Sequence, residues 1–425
     1  MLDIKFIREN AEVVKEAVRK KRLTFDLDEL LKVDAERLAV LGKVEAARAR
    51  QNVVSQEIAK ANTADREKLI AEMTTLKSGF KLEEDNLAAV MKRWQTLMLQ
   101  VPNLPDVSVP EGADETANQE VQVWGEKPKF AFAPKDHIEL MLNLKMVDFE
   151  RGTKAHGFRG YFLQGAGAEL SWALVNYGRE FFGRKNFQPI VAPAIVKREY
   201  FYGTGHLPKD ADDLYRTQDD DYLSGTAEVP MMAYHADEIL AVADLPKRYL
   251  AFSPCFRREA GSHGKDTKGL IRVHEFFKLE QLILCAADHG TSASLHEELN
   301  RNHEEFLESL GLPYRRLLIC GGDLSLSKVK QYDAEVWFPA AGAYRESSSA
   351  SYYHDFQTRR FNIRYRDEIG KTHFAHSLNS TAVATPRLLA ALVENYQTET
   401  GTITIPEILR VYLGGQQLIG HGIAS

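Results

Sequence analysis

Residues 1 to 101 contain no proline and only two glycines, Gly42 and Gly79. Over such a length this disfavours turn-rich folds and points to long helices. Leu2, Ile4, Ile7, Val13, Val14 and Val18 recur at helical intervals ahead of a basic cluster, Arg19 to Arg22, which predicts one short helix. Asp26 and Asp28 then offer caps for the next helix. From there Val33, Val40, Val44, Ala47, Val54, Ile58 and Ala61 follow a three-four alternation, broken by Arg37 and Gln51. A matching set, Met73, Leu76, Phe80, Leu87, Val90, Trp94, Leu97 and Val101, is broken at Glu83. The two stretches flank Asn62 to Asp65 and read as one antiparallel helical hairpin, with limbs of roughly 45 to 50 Å at 1.5 Å per residue. Such an arm is expected to project. From heptads alone it serves equally as a dimerisation coiled coil or a rigid spacer.

Pro102, Pro105 and Pro110, with Gly112 close behind, end the helical regime and place a domain boundary, dividing the chain into 1–105 and 106–425. The net charge of −6 argues against a generally basic nucleic-acid coat, so RNA binding should be local. The first 105 residues hold 19 Lys and Arg against 17 acids; the remainder is clearly acidic. Cys255, Cys285 and Cys320 form no CxxC pair, so neither zinc nor a disulfide framework is indicated and a reducing, cytoplasmic location is expected. The charged N-terminus and the lack of any 18-residue uncharged apolar window indicate neither a signal peptide nor a membrane span.

Beyond the boundary, strands and helices alternate. A short amphipathic segment occupies 135–147, and the glycines of RGTKAHGFRGYFLQGAGAEL are spaced as hairpin turns would be. A helix over Glu169 to Phe182 leads to a strand ending at Pro193. The stretch with most chemistry is FRREAGSHGKDTKGLIRVHEFFKLEQ, Phe256 to Gln281. It leaves an apolar run (Tyr249, Leu250, Phe252), crosses a loop carrying Lys265 and Lys268, and re-emerges at Leu270, as a long hairpin would. A period of two on the returning strand puts Phe276, Lys278 and Glu280 on one face. With Arg257, Arg258, Glu259 and Arg272 nearby, that suits a nucleotide lying on Phe276 with phosphates among arginines, beside a small amine or hydroxyl held by Glu280. A solvated surface hairpin would carry the same charges.

Three further segments carry polar groups. LSGTAEVPMM offers the hydroxyl of Thr226 and the carboxylate of Glu228 on either side of Ala227, fit to meet an ammonium. AYRESSSAS sets Glu346 before Ser347, Ser348, Ser349 and Ser351, hard-oxygen chemistry suited to Mg2+, although a serine-rich turn reads the same way. In HSLNSTAVATPRLLAALVENYQ, Pro386 opens an apolar helix, so Arg387 falls where backbone N–H groups also face an anion.

FRxE, a basic Gly-rich loop and HxFxKxE together resemble motif 2 of the class II aminoacyl-tRNA synthetases, in the form found in the seryl-tRNA synthetase family. The helix and strand before Pro193 resemble motif 1, which builds the dimer interface in that family. TAEVP resembles the serine-recognition loop, YRExSSxS followed by DFQxRR (Asp355 to Arg360) the metal and ATP segment, and the Arg387 helix motif 3. LDIKFIREN, the hairpin and PNLPDVSVP resemble the family's tRNA-binding arm. Ala350, where the family has Cys, Tyr352 and Tyr353, and Ser380, Ala382 and Pro386 in place of motif 3 glycines, all depart from the pattern.

The resemblance implies an α+β fold, an antiparallel-sheet catalytic domain behind the helical hairpin. It implies a homodimer that activates L-serine with ATP and Mg2+ and charges tRNA(Ser), leaving tRNA(Sec) open. Arg257 would hold the α-phosphate and the substrate carboxylate, and Arg387 the γ-phosphate. Glu346 and Ser349 would hold Mg2+, with Phe276 on the adenine and Glu259 at its edge. Thr226, Ala227, Glu228, Arg257, Glu280, Asn379 and Thr381 would contact serine; Arg258, Val273, Ser347 and Ser348 complete the implied ATP contacts. On the arm, Arg48, Arg50, Lys60, Arg66 and Lys68 would meet tRNA phosphates. An amino-acid:carrier-protein ligase, a catalytically dead RNA-binding paralogue and a plain coiled-coil interaction protein are the alternatives. The retained arm argues against the first, the retained Arg257, Glu259, Glu280, Glu346 and Arg387 against the second, and the acidic body against the third.

Overall fold

The computed structural model describes residues 1–261 and 267–420, with the side chains of 63 and 64 set aside; Lys265 lies outside the described residues. The chain divides into two compact units, Met1–Pro102 and Asn103–Ser425.

In the first unit, two helices stand where one was expected, α1 (Ile4–Glu9) and α2 (Ala11–Lys20). Asn10 separates them: its side-chain amide donates to the Phe6 carbonyl at 3.0 Å, competing with the helix ladder. Asp26 caps α3 (Leu27–Lys60) by accepting from Glu29 N, and Asn62 caps α4 (Thr63–Met98) by accepting from Asp65 N. With 34 and 36 residues, the limbs are each about 50 Å long. Val44, Val54 and Val90 bury along the seam. The polar interruptions are satisfied rather than disruptive. Arg37 lies 5.0 Å from the centre of the Trp94 ring and 2.8 Å from Asp34, and Gln51 donates to the Leu76 carbonyl at 3.3 Å.

The second unit is built on an eight-stranded sheet. In chain order the strands are β1 (Gln119–Trp124), β2 (Gln188–Val191), β3 (Lys247–Phe256), β4 (Glu275–Cys285), β5 (Tyr314–Leu318), β6 (Lys330–Phe338), β7 (Ala343–Tyr352) and β8 (His376–Ala384). Their spatial order is β1-β5-β6-β7-β8-β4-β3-β2, antiparallel throughout except for the β2–β3 edge pair. The helices Ala166–Gly183, His289–Ser309 and Thr385–Asn395 share one apolar core with the sheet, including Leu174, Phe182, Leu279, Phe306, Val383 and Leu389. The fold is α+β.

Two local expectations are overturned. The glycines of 151–170 do not mark hairpin turns: residues Phe149–His156 are helical, capped by Asp148, and only Val147–Asp148 and Phe162–Leu163 pair as strands. A Cβ on Gly152 would sit 2.4 Å from Tyr161 Cα, so this glycine serves close approach inside a helix. Nor does the long hairpin resume its ladder at Leu270. Leu270 is buried with its N–H on His137 Nε2 at 3.1 Å, and pairing with β3 starts at Glu275.

The stretch 376–384 reads as a strand only in three dimensions, and it carries a bulge. Leu279 pairs with Val383 but Glu280 pairs with Thr381, leaving Ala382 as the extra residue. A second bulge falls at Ser347, because Ala334 pairs with Ser348 and Glu335 with Glu346. Each changes which side chains face which side of the sheet. Val383 therefore packs in the core while Thr381 and Ala384 both line the open face. His303 sits under both irregularities, with Nδ1 3.1 Å from the Ala382 carbonyl and Nε2 3.1 Å from Ser347 Oγ.

Candidate active site

On β4 the alternation holds as expected. Lys278 Nζ lies 2.6 Å from Glu280 Oε2, so the two share a face, and Phe276 flanks them one step back. Arg257, just past the end of β3, places its guanidinium carbon 5.4 Å from the centre of the Phe276 ring and donates to the Gly225 carbonyl at 3.3 Å. An aromatic platform and a guanidinium are thus fixed together.

Two cavities open on this face and share Arg257, Lys278, Glu346 and Thr381. The first is a slot that adds Glu259, Val273, Phe276, Ser347 and Arg387. Glu259 is held by Arg272 at 2.6 Å and has a left-handed φ of +55°, a strained turn at the exit of β3. Arg387, on the first turn of its helix, lies 3.5 Å from Glu346 Oε2 and donates to the Ile271 carbonyl at 3.3 Å. Burial pushes the Glu346 carboxyl up, but Arg387, Arg257 and Lys328 outweigh it and leave it held below the usual range. Its side chain remains 48% accessible, open to the cavity.

The second cavity, of about 380 Å³, adds Thr226, Glu228, Glu280, Ser349, Tyr353 and Asn379. Thr226 Oγ1 accepts from Lys278 Nζ at 2.8 Å and from the Glu228 backbone N–H at 3.3 Å. Glu228 accepts from Gln357 Nε2 at 2.5 Å, and Tyr353 donates to Asn379 Oδ1 at 3.2 Å. Thr381 donates to Glu280 Oε2 at 3.3 Å. Burial pushes both the Glu228 and Glu280 carboxyls up, against the nearby lysines. Such a wall of buried carboxylates and hydroxyls matches a small zwitterion with a polar side chain.

The structure gathers most of the sequence candidates here, but not all of them. Arg258 is exposed and absent from both cavities. Ser348 points to β8, donating to the Thr381 carbonyl at 2.7 Å, and Ala227 is wholly buried. Lys268 lines a different cavity, beside Asp136 and Arg345. The departures from the family pattern also find places. Tyr352 donates to Asp106 at 2.7 Å, the Ala350 carbonyl lies 2.9 Å from His296 Nε2, and Pro386 starts the Arg387 helix.

Sequence reasoning missed Asp333, Lys328 and Gln357 as parts of this neighbourhood. Asp333 pairs with Ser349 across β6 and β7, and burial together with Glu346 pushes its carboxyl well up. Only knowledge of that pairing could have brought it in. Gln357, within the DFQxRR segment, was within reach.

On the arm, Arg48 and Arg50 already pair across the limbs, with Glu84 at 3.4 Å and Glu72 at 2.6 Å. Lys60, Arg66 and Lys68 are exposed and make no ion pair among the described residues.

Residues 1–105 match the seryl-tRNA synthetase N-terminal domain, and 213–396 the class II tRNA synthetase core domain for G, H, P, S and T. The serine--tRNA ligase of Deinococcus radiodurans is 42% identical, covering 100% of both chains. That of Geobacter sulfurreducens is 44% identical over 99% of this chain and 100% of the relative. Among solved structures, the Pyrococcus horikoshii seryl-tRNA synthetase complexed with ATP superposes with a TM-score of 0.89 at 36% identity, covering 99% of each chain. The Naegleria fowleri cytoplasmic enzyme in complex with AMP gives 0.86 at 33%, covering 99% and 98%. The chain belongs to the seryl-tRNA synthetase family.

Proposed function

We propose, from that membership, how the residues of this chain divide the work of activating L-serine with ATP and passing the seryl group to tRNA(Ser). The observation that carries the reading is the pair of cavities meeting at Arg257 and Lys278: one has the aromatic and cationic walls a nucleotide needs, the other the polar walls of a small amino acid.

Activation is an in-line displacement in which the serine carboxylate attacks the α-phosphorus and pyrophosphate leaves. The protein's task is alignment and charge neutralisation, and no side chain need accept a proton. Phe276 carries the adenine with Glu259 at its edge and Val273 in contact with the nucleotide, Arg257 spans the α-phosphate and the serine carboxylate, and Arg387 takes the γ-phosphate. Thr226 and Glu228 receive the serine ammonium with Asn379, and Glu280 with Thr381 receives its hydroxyl. Glu346 and Ser349 present oxygen donors on adjoining walls, a donor set that fits Mg2+, which needs few protein ligands. When bound there, Mg2+ would neutralise phosphate charge.

The helical hairpin of residues 1–105 is the tRNA-binding arm and residues 106–425 the catalytic domain of a cytoplasmic homodimer. Exposed Trp172 and Val191, on the helix and strand of the motif 1 segment, support that interface. Lys60, Arg66 and Lys68, near the tip of the hairpin, are the arm cations best placed for tRNA phosphates.

Amino-acid-dependent ATP/pyrophosphate exchange with serine, threonine, alanine and glycine, without tRNA, tests the activation site: exchange with serine alone is expected. Preference for glycine or alanine would favour carrier-protein chemistry. Replacing Lys60, Arg66 and Lys68 together by Glu should leave exchange unchanged while weakening tRNA(Ser) charging and lowering its salt dependence by roughly 2 to 3 in log-log slope. Assaying tRNA(Sec) alongside settles whether it is a second acceptor.

A further inference from the structure

Lys278 has no part in this activation scheme, yet it is 5% exposed, lines both cavities and bonds to two of the residues assigned to serine. Its ammonium donates to Thr226 Oγ1 at 2.8 Å and lies 2.6 Å from Glu280 Oε2. Thr381 donates to that same Oε2. Among the described residues Glu280 Oε1 accepts no hydrogen bond, and Glu280 lines the amino-acid cavity. One oxygen of this carboxylate is therefore engaged by the protein and the other is left for a ligand.

The charge count then matters. A bare buried carboxylate is a site for a cation; one already paired with an ammonium 2.6 Å away is neutral as a unit and serves as a hydrogen-bond acceptor. A second ammonium brought to Oε1 would face Lys278 across a single carboxylate, and like charges at that range repel. A hydroxyl meets no such repulsion and finds an acceptor that would be left unpaired without it.

We propose that Lys278 is a specificity-determining residue, which makes Glu280 an acceptor for a neutral hydroxyl and turns away amino acids carrying a second amine in its place. Resting on the serine-activating reading, this names what the site rejects as well as what it accepts. The excluded class is that of 2,3-diaminopropionate, which has an amine where serine has its hydroxyl. Lys278 also fixes Thr226, so the rejecting group and the ammonium-binding segment are held by one side chain.

The test is ATP/pyrophosphate exchange at neutral pH with serine, alanine and 2,3-diaminopropionate, on the full-length enzyme and on Lys278→Met. Wild type should activate serine and not the diamine. In K278M, kcat/KM for serine should fall by on the order of 10-fold, through KM, and that for the diamine should rise by a similar factor, since the uncompensated carboxylate now prefers a cation. The ratio thus moves about 100-fold, with KM for ATP unchanged. K278R, keeping the charge, should continue to reject the diamine. The double variant K278M/E280Q removes both charges together, guards against misfolding around a lone buried carboxylate, and should also refuse the diamine.

An unchanged diamine-to-serine ratio in folded K278M overturns the proposal. Equal losses of kcat for every amino acid with a raised KM for ATP would do so too, placing Lys278 on the nucleotide instead. Absence of serine exchange in wild type would fail the serine-activating reading itself, before any variant is compared.

Discussion

Between the limbs of the arm and within the catalytic body polar groups are settled in opposite ways, with Lys21 and Asp34 as buried exceptions on the arm. On the arm, charges pair across the limbs in water: Arg48 with Glu84, Arg50 with Glu72 and Arg93 with Glu36 all keep substantial exposure. In the body, the consequential polar groups are buried. Lys278, Glu280, Gln281, His296 and His303 are each at most 5% exposed and each has a defined partner. Exposed pairs contribute little and are forgiving; buried networks are costly to leave incomplete and so fix geometry tightly. A repeat can specify the first kind of structure. The second depends on strands brought together from distant parts of the chain.

That contrast can be broken or sharpened by experiment, and the largest effect should come from the buried site. Glu280→Ala should erase the preference for serine over alanine, a change on the order of 10⁴ to 10⁵, whereas Arg50→Ala should leave it untouched. Retained selectivity in E280A, measured by exchange, would show that this carboxylate does not read the hydroxyl.

Next in size is the response to acid. All 13 histidines lie beyond residue 105. Burial holds the imidazoles of His296 and His303 down to about 4, against an ordinary value near 6.5. Between those values these two imidazoles bind more protons in the unfolded chain than in the folded body, so the stability they contribute is full above about 6.5 and is lost as pH falls toward 4. The slope should approach about 1.4 kcal/mol per pH unit for each imidazole. Trp94 is the arm's one tryptophan, so denaturant unfolding of a Trp94-only variant can be set against one retaining Trp124, Trp172 and Trp337. Glu228, Glu280 and Asp333, pushed up by burial, pull the other way, so the check is a difference: a pH slope of the body transition that does not change when His296 and His303 are replaced by Gln would contradict the burial of these rings.

Smaller still, and opposite in sign between the two regions, are three glycine substitutions. A Cβ at Gly178 would meet Val383 Cγ2 at 2.6 Å and Leu279 Cδ1 at 3.0 Å, so Gly178→Ala should cost about 1 to 3 kcal/mol. At Gly42 and Gly79, inside the long arm helices, a Cβ meets nothing within 4 Å, and alanine should stabilise by about 0.5 to 1 kcal/mol each. Thermal midpoints moving in the same direction for both would erase the distinction between the two regions. Least of all, Arg50→Ala should leave the arm's midpoint where it stands.

Legibility followed the same divide. The arm's limbs, their turn near Asn62 and even their polar interruptions were visible as periodicity, because a helix is decided within a few turns of itself. Asn10, which splits the first helix, acts through one local hydrogen bond that apolar spacing does not register. In the body, the shared face of Phe276, Lys278 and Glu280 was readable because β4 keeps its alternation. Glu346 stood out by its run of neighbouring hydroxyls, and Thr381 was reached through family resemblance; strict alternation along β8 and β7 would have set Thr381 with Val383 and Glu346 with Ser348. Gly152 misled for a related reason: a glycine needed for close packing has the same letter as one needed for a turn.

The two bulges carry a consequence of a different order from any side chain. A sheet with strict alternation has a parity, odd positions to one side and even to the other, and Ala382 and Ser347 are where β8 and β7 change it. Substitution at either position alters a contact; deletion would restore the count and turn every residue on one side of the gap over. Sequences descended from this one can therefore drift at most positions along β7 and β8, yet they cannot lose or gain a single residue there without exchanging the cavity-facing side chains for the core-facing ones. The length of these strands, more than their composition, is what inheritance has to preserve.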